Sequence, residues 1–214
     1  MKPTDSKTLL GIMFATSIVV ANLVATKVAV FDLPLIGMVT VPAGFAAIGV
    51  SFLCTDLLGE LHGREAARNV VNATVVALGV AWVLVYMAVL FPAAPFYGDA
   101  AAFERIFTAS GTIVLAGITT TLVSQNIDVS VFHRLKSLTD GKHKWLRNLG
   151  STGVSQLVDT SLFIVLAFAI FPRLPFLSGT ITPWVAIPSL VLGQYVVKMI
   201  VAAVDTPVFY ALSR

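Results

Sequence analysis

Six long runs of apolar residues divide the chain, and each is long enough to cross a membrane as a helix. They cover residues 8–26, 33–55, 69–91, 108–127, 149–171 and 183–212. A membrane-spanning helix needs roughly 20 mostly apolar residues. The first four runs carry no charge, the fifth holds only Asp159, and the sixth holds Lys198 and Asp205. The pattern predicts an all-α polytopic integral membrane protein with six transmembrane helices.

The distribution of basic residues predicts the orientation of these helices. Ten Lys and Arg residues fall at the two termini and in the loops after the second and fourth runs, whereas three, Lys27, Arg105 and Arg173, fall in loops on the other side. Cytoplasmic loops of membrane proteins carry the excess of Lys and Arg. We therefore expect both termini in the cytoplasm and a multi-pass protein of the inner (plasma) membrane. No linker interrupts the pattern, so residues 1–214 are predicted to form a single transmembrane domain.

Composition supports lipid as the surrounding solvent. Only 12% of the residues are charged, 57% are hydrophobic and the mean hydropathy is +0.90. A soluble domain is about 25% charged. The net charge of +3 comes mainly from the cytoplasmic loops, so it indicates topology, and no nucleic-acid partner is expected.

Polar residues inside the apolar runs recur at the spacing of one helix face. Residues three, four or seven apart lie on the same side of a helix, and charged groups at membrane depth normally face a protein interior or a water-filled cavity. We expect these polar stripes to converge on a common interior and to form a permeation route. The pairs are Asp56 and Glu60, Gln125 and Asp128, Gln156 and Asp159, and Gln194 and Lys198. Asp205 follows Lys198 by seven residues.

Two chemical expectations follow from these residues. Lys198 lies too deep to reach the interface, so it is predicted to pair with Asp159, Asp128 or Asp205. A glutamine offers a donor and an acceptor in one plane and an aspartate offers two acceptors, so Gln–Asp pairs could frame a flat heterocycle. Polar residues also hold transmembrane helices together, and this structural interpretation stays open for each residue taken singly.

The segments that carry this chemistry resemble the queuosine precursor transporter family, which has also been grouped with vitamin uptake transporters. The resembling stretches are ANLVATK at 21–27, TDLLGELHGREAARNVV at 55–71, SQNIDVSVFHRLK at 124–136, LRNLGSTGVSQLVDTSLF at 146–163 and VVKMIVAAVDTPVFY at 196–210. The resemblance implies a six-helix fold and uptake of deazaguanine bases, namely the cyano and aminomethyl precursors of queuosine or queuine itself. No cofactor and no metal site are expected.

The predicted substrate-binding residues combine the polar stripes with positions implied by the resemblance. The set is Asn22, Lys27, Phe52, Asp56, Glu60, Gln125, Asp128, Gln156, Asp159, Gln194, Lys198 and Asp205. We expect the site between spans two, four, five and six, with Phe52 or Phe163 covering the ring.

Two other classes of function are alternatives to a transporter that works by itself. A substrate-binding subunit energised by a separate complex is one alternative. Two sets of small residues four apart, Gly11 and Ala15, then Ala21, Ala25 and Ala29, suit close helix contact. The same face could serve a homodimer or internal packing. An intramembrane enzyme is disfavoured, because no Gly-x-Gly-Asp, G-x-S-x-G or P-loop motif occurs. Carboxylates outnumber lysines at depth, which permits proton coupling without requiring it.

Overall fold

The computed structural model describes residues 3–34, 37–138, 156–174, 177 and 181–212. The helices are α1 (Pro3–Val24), α2 (Phe45–His62), α3 (Arg64–Leu90), α4 (Ala100–Leu138), α5 (Gln156–Arg173) and α6 (Ile187–Leu212). Between α1 and α2 lie the strands β1 (Val28–Leu33) and β2 (Gly37–Pro42).

All six helices of the described chain are long and apolar enough to cross a membrane. The predicted all-α membrane architecture is confirmed. Large apolar side chains on the outer faces are exposed, as expected where lipid replaces water; α3 shows this most clearly, with Val76, Val80 and Leu84 pointing outwards. The orientation with both termini in the cytoplasm stays a prediction.

The second span differs from its predicted bounds. The uncharged run 33–55 was expected to be one helix, but its first part forms strand β2, which pairs antiparallel with β1. Helix α2 begins only at Phe45 and continues to His62. Two stretches rich in β-branched residues, VAVFDL and GMVTVP, favour strands, and hydropathy alone cannot distinguish an apolar strand from an apolar helix.

The hairpin packs along the beginning of α6. Thr40 Oγ1 and Ser189 Oγ share a hydrogen bond of 3.1 Å, and Val39 and Val41 are buried against Val197. Gly193 permits this approach, because a Cβ at that position would overlap the carbonyl oxygen of Thr40.

Helix α2 lies further along α6 than the hairpin does. Gly49 lies against the Val201 side chain, so the first turns of α2 are level with the second half of α6. At its other end α2 meets α3 through Gly63 alone, whose φ of 84° favours glycine. The predicted loop between spans two and three therefore shrinks to one residue.

The small-residue face of α1 is used for packing inside the chain. Gly11 lies against Val70 of α3, and the carbonyl group of Ala21 lies against Gly44. Ala21 and Ala25 are both buried. Internal packing therefore accounts for most of the pattern that suggested a partner or a second copy.

A mainly apolar core joins α4, α5 and α6. Ile113, Ala116, Ile164 and Phe168 are buried in one cluster with Leu190. Towards its end α5 becomes a π-helix, Leu166–Ile170, and it finishes in a 3-10 turn, Phe171–Arg173. This cluster fixes the spacing of the three helices that contribute most of the polar residues described next.

Candidate functional site

A cavity of about 510 Å³ lies among the six helices. Small-molecule sites usually fall between about 300 and 1,000 Å³, so the space suits one small ligand. Every helix contributes to the wall, and so does Pro42 at the end of β2. The polar residues lining it are Asn22, Ser51, Thr55, Asp56, Thr74, Thr120, Thr121, Gln156, Asp159, Gln194 and Lys198.

An ion pair between α5 and α6 forms one part of the wall. Lys198 Nζ donates to Asp159 Oδ2 at 2.8 Å and to Gln156 Oε1 at 3.4 Å. The side chain of Lys198 is only 8% exposed, whereas that of Asp159 is 26% exposed. The predicted pairing of Lys198 with a carboxylate is confirmed. Because the carboxylate faces the cavity more openly than the ammonium does, Asp159 is the member of the pair within reach of a ligand.

Three buried oxygens on other parts of the wall have no hydrogen-bond partner among the described residues. They are Asn22 Oδ1 on α1, Thr120 Oγ1 on α4 and Gln194 Oε1 on α6. Asn22 already uses its amide nitrogen, which donates to the Ile18 carbonyl at 2.8 Å. Buried polar atoms are normally hydrogen-bonded, so three exceptions around one cavity mark positions that a ligand or water would fill.

Most other hydroxyl groups in the wall donate their protons to their own helices. Ser51 donates to the Ile48 carbonyl at 2.7 Å and Thr74 to the Val70 carbonyl at 2.8 Å. Thr55 bonds similarly within α2. Such hydroxyl groups turn lone pairs rather than protons towards the cavity.

Aromatic side chains complete the wall. Phe52 and Phe163 both line the cavity, as does Phe14. Phe52 was predicted as a ring-covering residue from α2, and the structure places it beside Asp56 and Thr55 on the same wall. A cavity with polar edges and aromatic faces suits a flat polar ring.

The structure brings seven of the twelve predicted site residues to this cavity. They are Asn22, Phe52, Asp56, Gln156, Asp159, Gln194 and Lys198. Lys27 and Glu60 are exposed and lie outside the wall; the backbone carbonyl of Lys27 instead accepts a hydrogen bond from Ala43 at the base of the hairpin. The side chains of Gln125, Asp128 and Asp205 lie outside the part of the chain that the structure describes.

Sequence reasoning missed the threonines of α4. Thr120 lines the cavity with an unpartnered hydroxyl, yet it stands in the run Thr119–Thr121, where threonine ordinarily bonds back to its own helix. The neighbouring Thr119 and Thr121 do so at 2.8 Å. No sequence signal separates the one threonine from the other two.

Comparison with known proteins places the chain in a family. Residues 42–212 match the family described as "putative vitamin uptake transporter". The chain belongs to this family. It is also 31% identical over 203 residues to a protein of Bacillus subtilis (strain 168) named "probable queuosine precursor transporter", with 94% of this chain and 81% of the relative covered. The match confirms the resemblance found in the sequence. No solved structure matches the chain.

Proposed function

We propose that this membrane transporter imports deazaguanine precursors of queuosine across the plasma membrane, working by itself. The observation that carries the proposal is Asp159, a carboxylate that faces a cavity among six helices while Lys198 holds one of its oxygens. The queuosine precursor named in the Bacillus relative supports the substrate class.

The proposed binding mode divides the ring edge between two kinds of group. A deazaguanine presents adjacent ring and exocyclic N–H groups, which suit a carboxylate, and a ring carbonyl, which suits an amide N–H. Asp159 accepts the N–H groups, and the amide nitrogen of Gln156, whose oxygen already accepts from Lys198, donates to the carbonyl. Phe52 and Phe163 cover the faces of the ring. Transporter sites commonly lie near the bilayer midplane, where the polar stripes of α5 and α6 were expected.

Uptake by the purified chain in proteoliposomes tests the proposal. Radiolabelled deazaguanine should accumulate without any added protein, and the same assay with and without a pH gradient measures proton coupling directly. Asp159→Asn keeps the shape but removes the charge, and losing a charge-assisted hydrogen bond should weaken binding about 10- to 100-fold. Asn72→Ala is the control, because Asn72 is exposed and does not line the cavity.

The result also separates the proposal from its main alternative. Binding without uptake, with uptake restored by an added ATPase complex, would identify the chain as a substrate-binding subunit. Absence of both binding and uptake by the wild-type chain would contradict the substrate class. Normal uptake by Asp159→Asn would contradict the site.

A further inference from the structure

The polar atoms left over in the cavity wall are unevenly divided between donors and acceptors. Within the described chain, the buried side-chain atoms without a hydrogen-bond partner are all oxygens: the amide oxygens of Asn22 and Gln194 and the hydroxyls of Thr120 and Thr160. An amide oxygen can only accept. Three of these four residues line the cavity, and Thr160 does not.

Several donors of the wall are used inside the protein. The Lys198 ammonium group bonds Asp159 and Gln156, the Asn22 amide nitrogen bonds the Ile18 carbonyl, and Ser51 bonds the Ile48 carbonyl. The buried atoms that remain for a ligand therefore include two amide oxygens, which can only accept, and the Thr120 hydroxyl, which can accept as well as donate. A buried acceptor without a partner costs about 1–3 kcal/mol, which a ligand carrying N–H groups would recover on binding.

The unpartnered oxygens that line the cavity come from helices other than α5. Asn22 Oδ1 lies beside Gly117 of α4, where a Cβ would be 3.0 Å away, and Thr120 follows Gly117 by three residues on the same helix face. Gln194 stands one turn before Lys198 on α6 and is only 3% exposed. The oxygens thus extend the polar wall from the Lys198–Asp159 pair around to α1 and α4.

We propose that Asn22, Thr120 and Gln194 form a second subsite, which binds N–H groups on a different edge of the ligand from the edge that Asp159 binds. This proposal rests on the proposed function and makes it more specific. The ligand is then a flat molecule with hydrogen-bond donors on two edges, and a carboxylate placed at this subsite, which would set an anion against buried acceptors, should bind more weakly.

Two threonines give a matched pair of variants for the test. Thr120 and Thr160 are 2% and 0% exposed, and both have an unpartnered hydroxyl, but only Thr120 lines the cavity. Valine has the shape of threonine without the hydroxyl. Thr120→Val should raise the Kd for radiolabelled aminomethyl-deazaguanine about ten-fold, whereas Thr160→Val should leave it unchanged.

Gln194 supplies a rescue series in the same binding assay. Gln194→Met removes the acceptor and should weaken binding about ten-fold or more, while Gln194→Glu keeps an acceptor and should bind more tightly than Gln194→Met. Thermal unfolding without ligand is the second readout. An oxygen with no partner stabilises nothing in the empty protein, so Gln194→Met and Thr120→Val should unfold at or above the wild-type temperature.

The outcomes separate the subsite from the function on which it rests. If the wild-type chain binds the base and Thr120→Val and Gln194→Met bind it equally well, the subsite is wrong and the proposed function stands. Equal weakening by Thr120→Val and Thr160→Val, or a lower unfolding temperature for both cavity variants without ligand, would assign these residues a structural role and overturn the subsite. If the wild-type chain binds no deazaguanine, both proposals fall.

Discussion

Removing the Lys198 ammonium group should show how much the ion pair between α5 and α6 contributes to the stability of the fold and how much to ligand binding. Lys198→Met keeps the length of the side chain and leaves Asp159 and Gln156 without the donor that they share. Breaking a buried ion pair by removing one partner costs about 3–5 kcal/mol. The side chain of Asp159 is 26% exposed, so water can partly hydrate the stranded carboxylate, and we expect about 3 kcal/mol, the low end of that range.

A double-mutant cycle measures the pair itself. Asp159→Asn alone leaves an 8% exposed ammonium group with only neutral acceptors, and it should also destabilise the protein. Lys198→Met combined with Asp159→Asn removes both charges, so the double variant should be more stable than the sum of the two losses predicts, by about 1–3 kcal/mol. Denaturant or thermal unfolding in detergent, followed by tryptophan fluorescence, provides the measurement.

Transport by the double variant separates ligand binding from helix packing. The double variant should fold well and still fail to accumulate deazaguanine, because it lacks the carboxylate. Additive losses of stability would show that the two groups do not interact energetically in spite of their 2.8 Å separation. Wild-type uptake by the double variant would show that Asp159 serves packing alone.

Three further outcomes are expected. Gly193→Ala should destabilise the protein by displacing the hairpin from α6, because a Cβ at residue 193 overlaps the Thr40 carbonyl. The control is Gly79→Ala, which has open space around it and should unfold at or slightly above the wild-type temperature. Thermal unfolding compares the two variants. Single cysteines at Ala101 and Lys142 should react with impermeant reagents from opposite sides of the membrane, and labelling from one side would contradict the topology. In competition binding, the aminomethyl deazaguanine should displace the labelled base at a lower concentration than the cyano compound does. An aminomethyl group donates to the acceptors of the second subsite, whereas a nitrile only accepts. Equal potency of the two compounds would contradict that subsite.

The parts of the fold that follow from local rules were predictable. Six apolar runs gave six helices because length and hydropathy alone decide whether a helix can span a bilayer. The partner of Lys198 was narrowed to three carboxylates because an isolated ammonium group in a hydrocarbon interior is too costly. The structure then selects Asp159, a choice that depends on helix packing and cannot be read from spacing along one helix.

Other features depend on contacts between distant segments and escaped prediction. The hairpin is held by α6, which is more than a hundred residues away in sequence, through the hydrogen bond between Thr40 and Ser189. Thr120 differs from Thr119 and Thr121 only in what surrounds it in three dimensions. Asn22 bonds its own helix through its amide nitrogen, yet the residue also lines the cavity, so the structural and the binding interpretation both describe it.

The break in the second span and the cavity have a common cause. Irregular backbone at membrane depth is tolerated only where it is buried in protein or lines a water-filled space, and transporter sites often lie where a spanning helix is interrupted. Here the chain changes from strand to helix at residues 42–45, and Pro42, Gly44 and Phe45 all line the cavity. The departure from a regular six-helix bundle, which hydropathy could not predict, is therefore part of what creates room for a ligand beside Asp159.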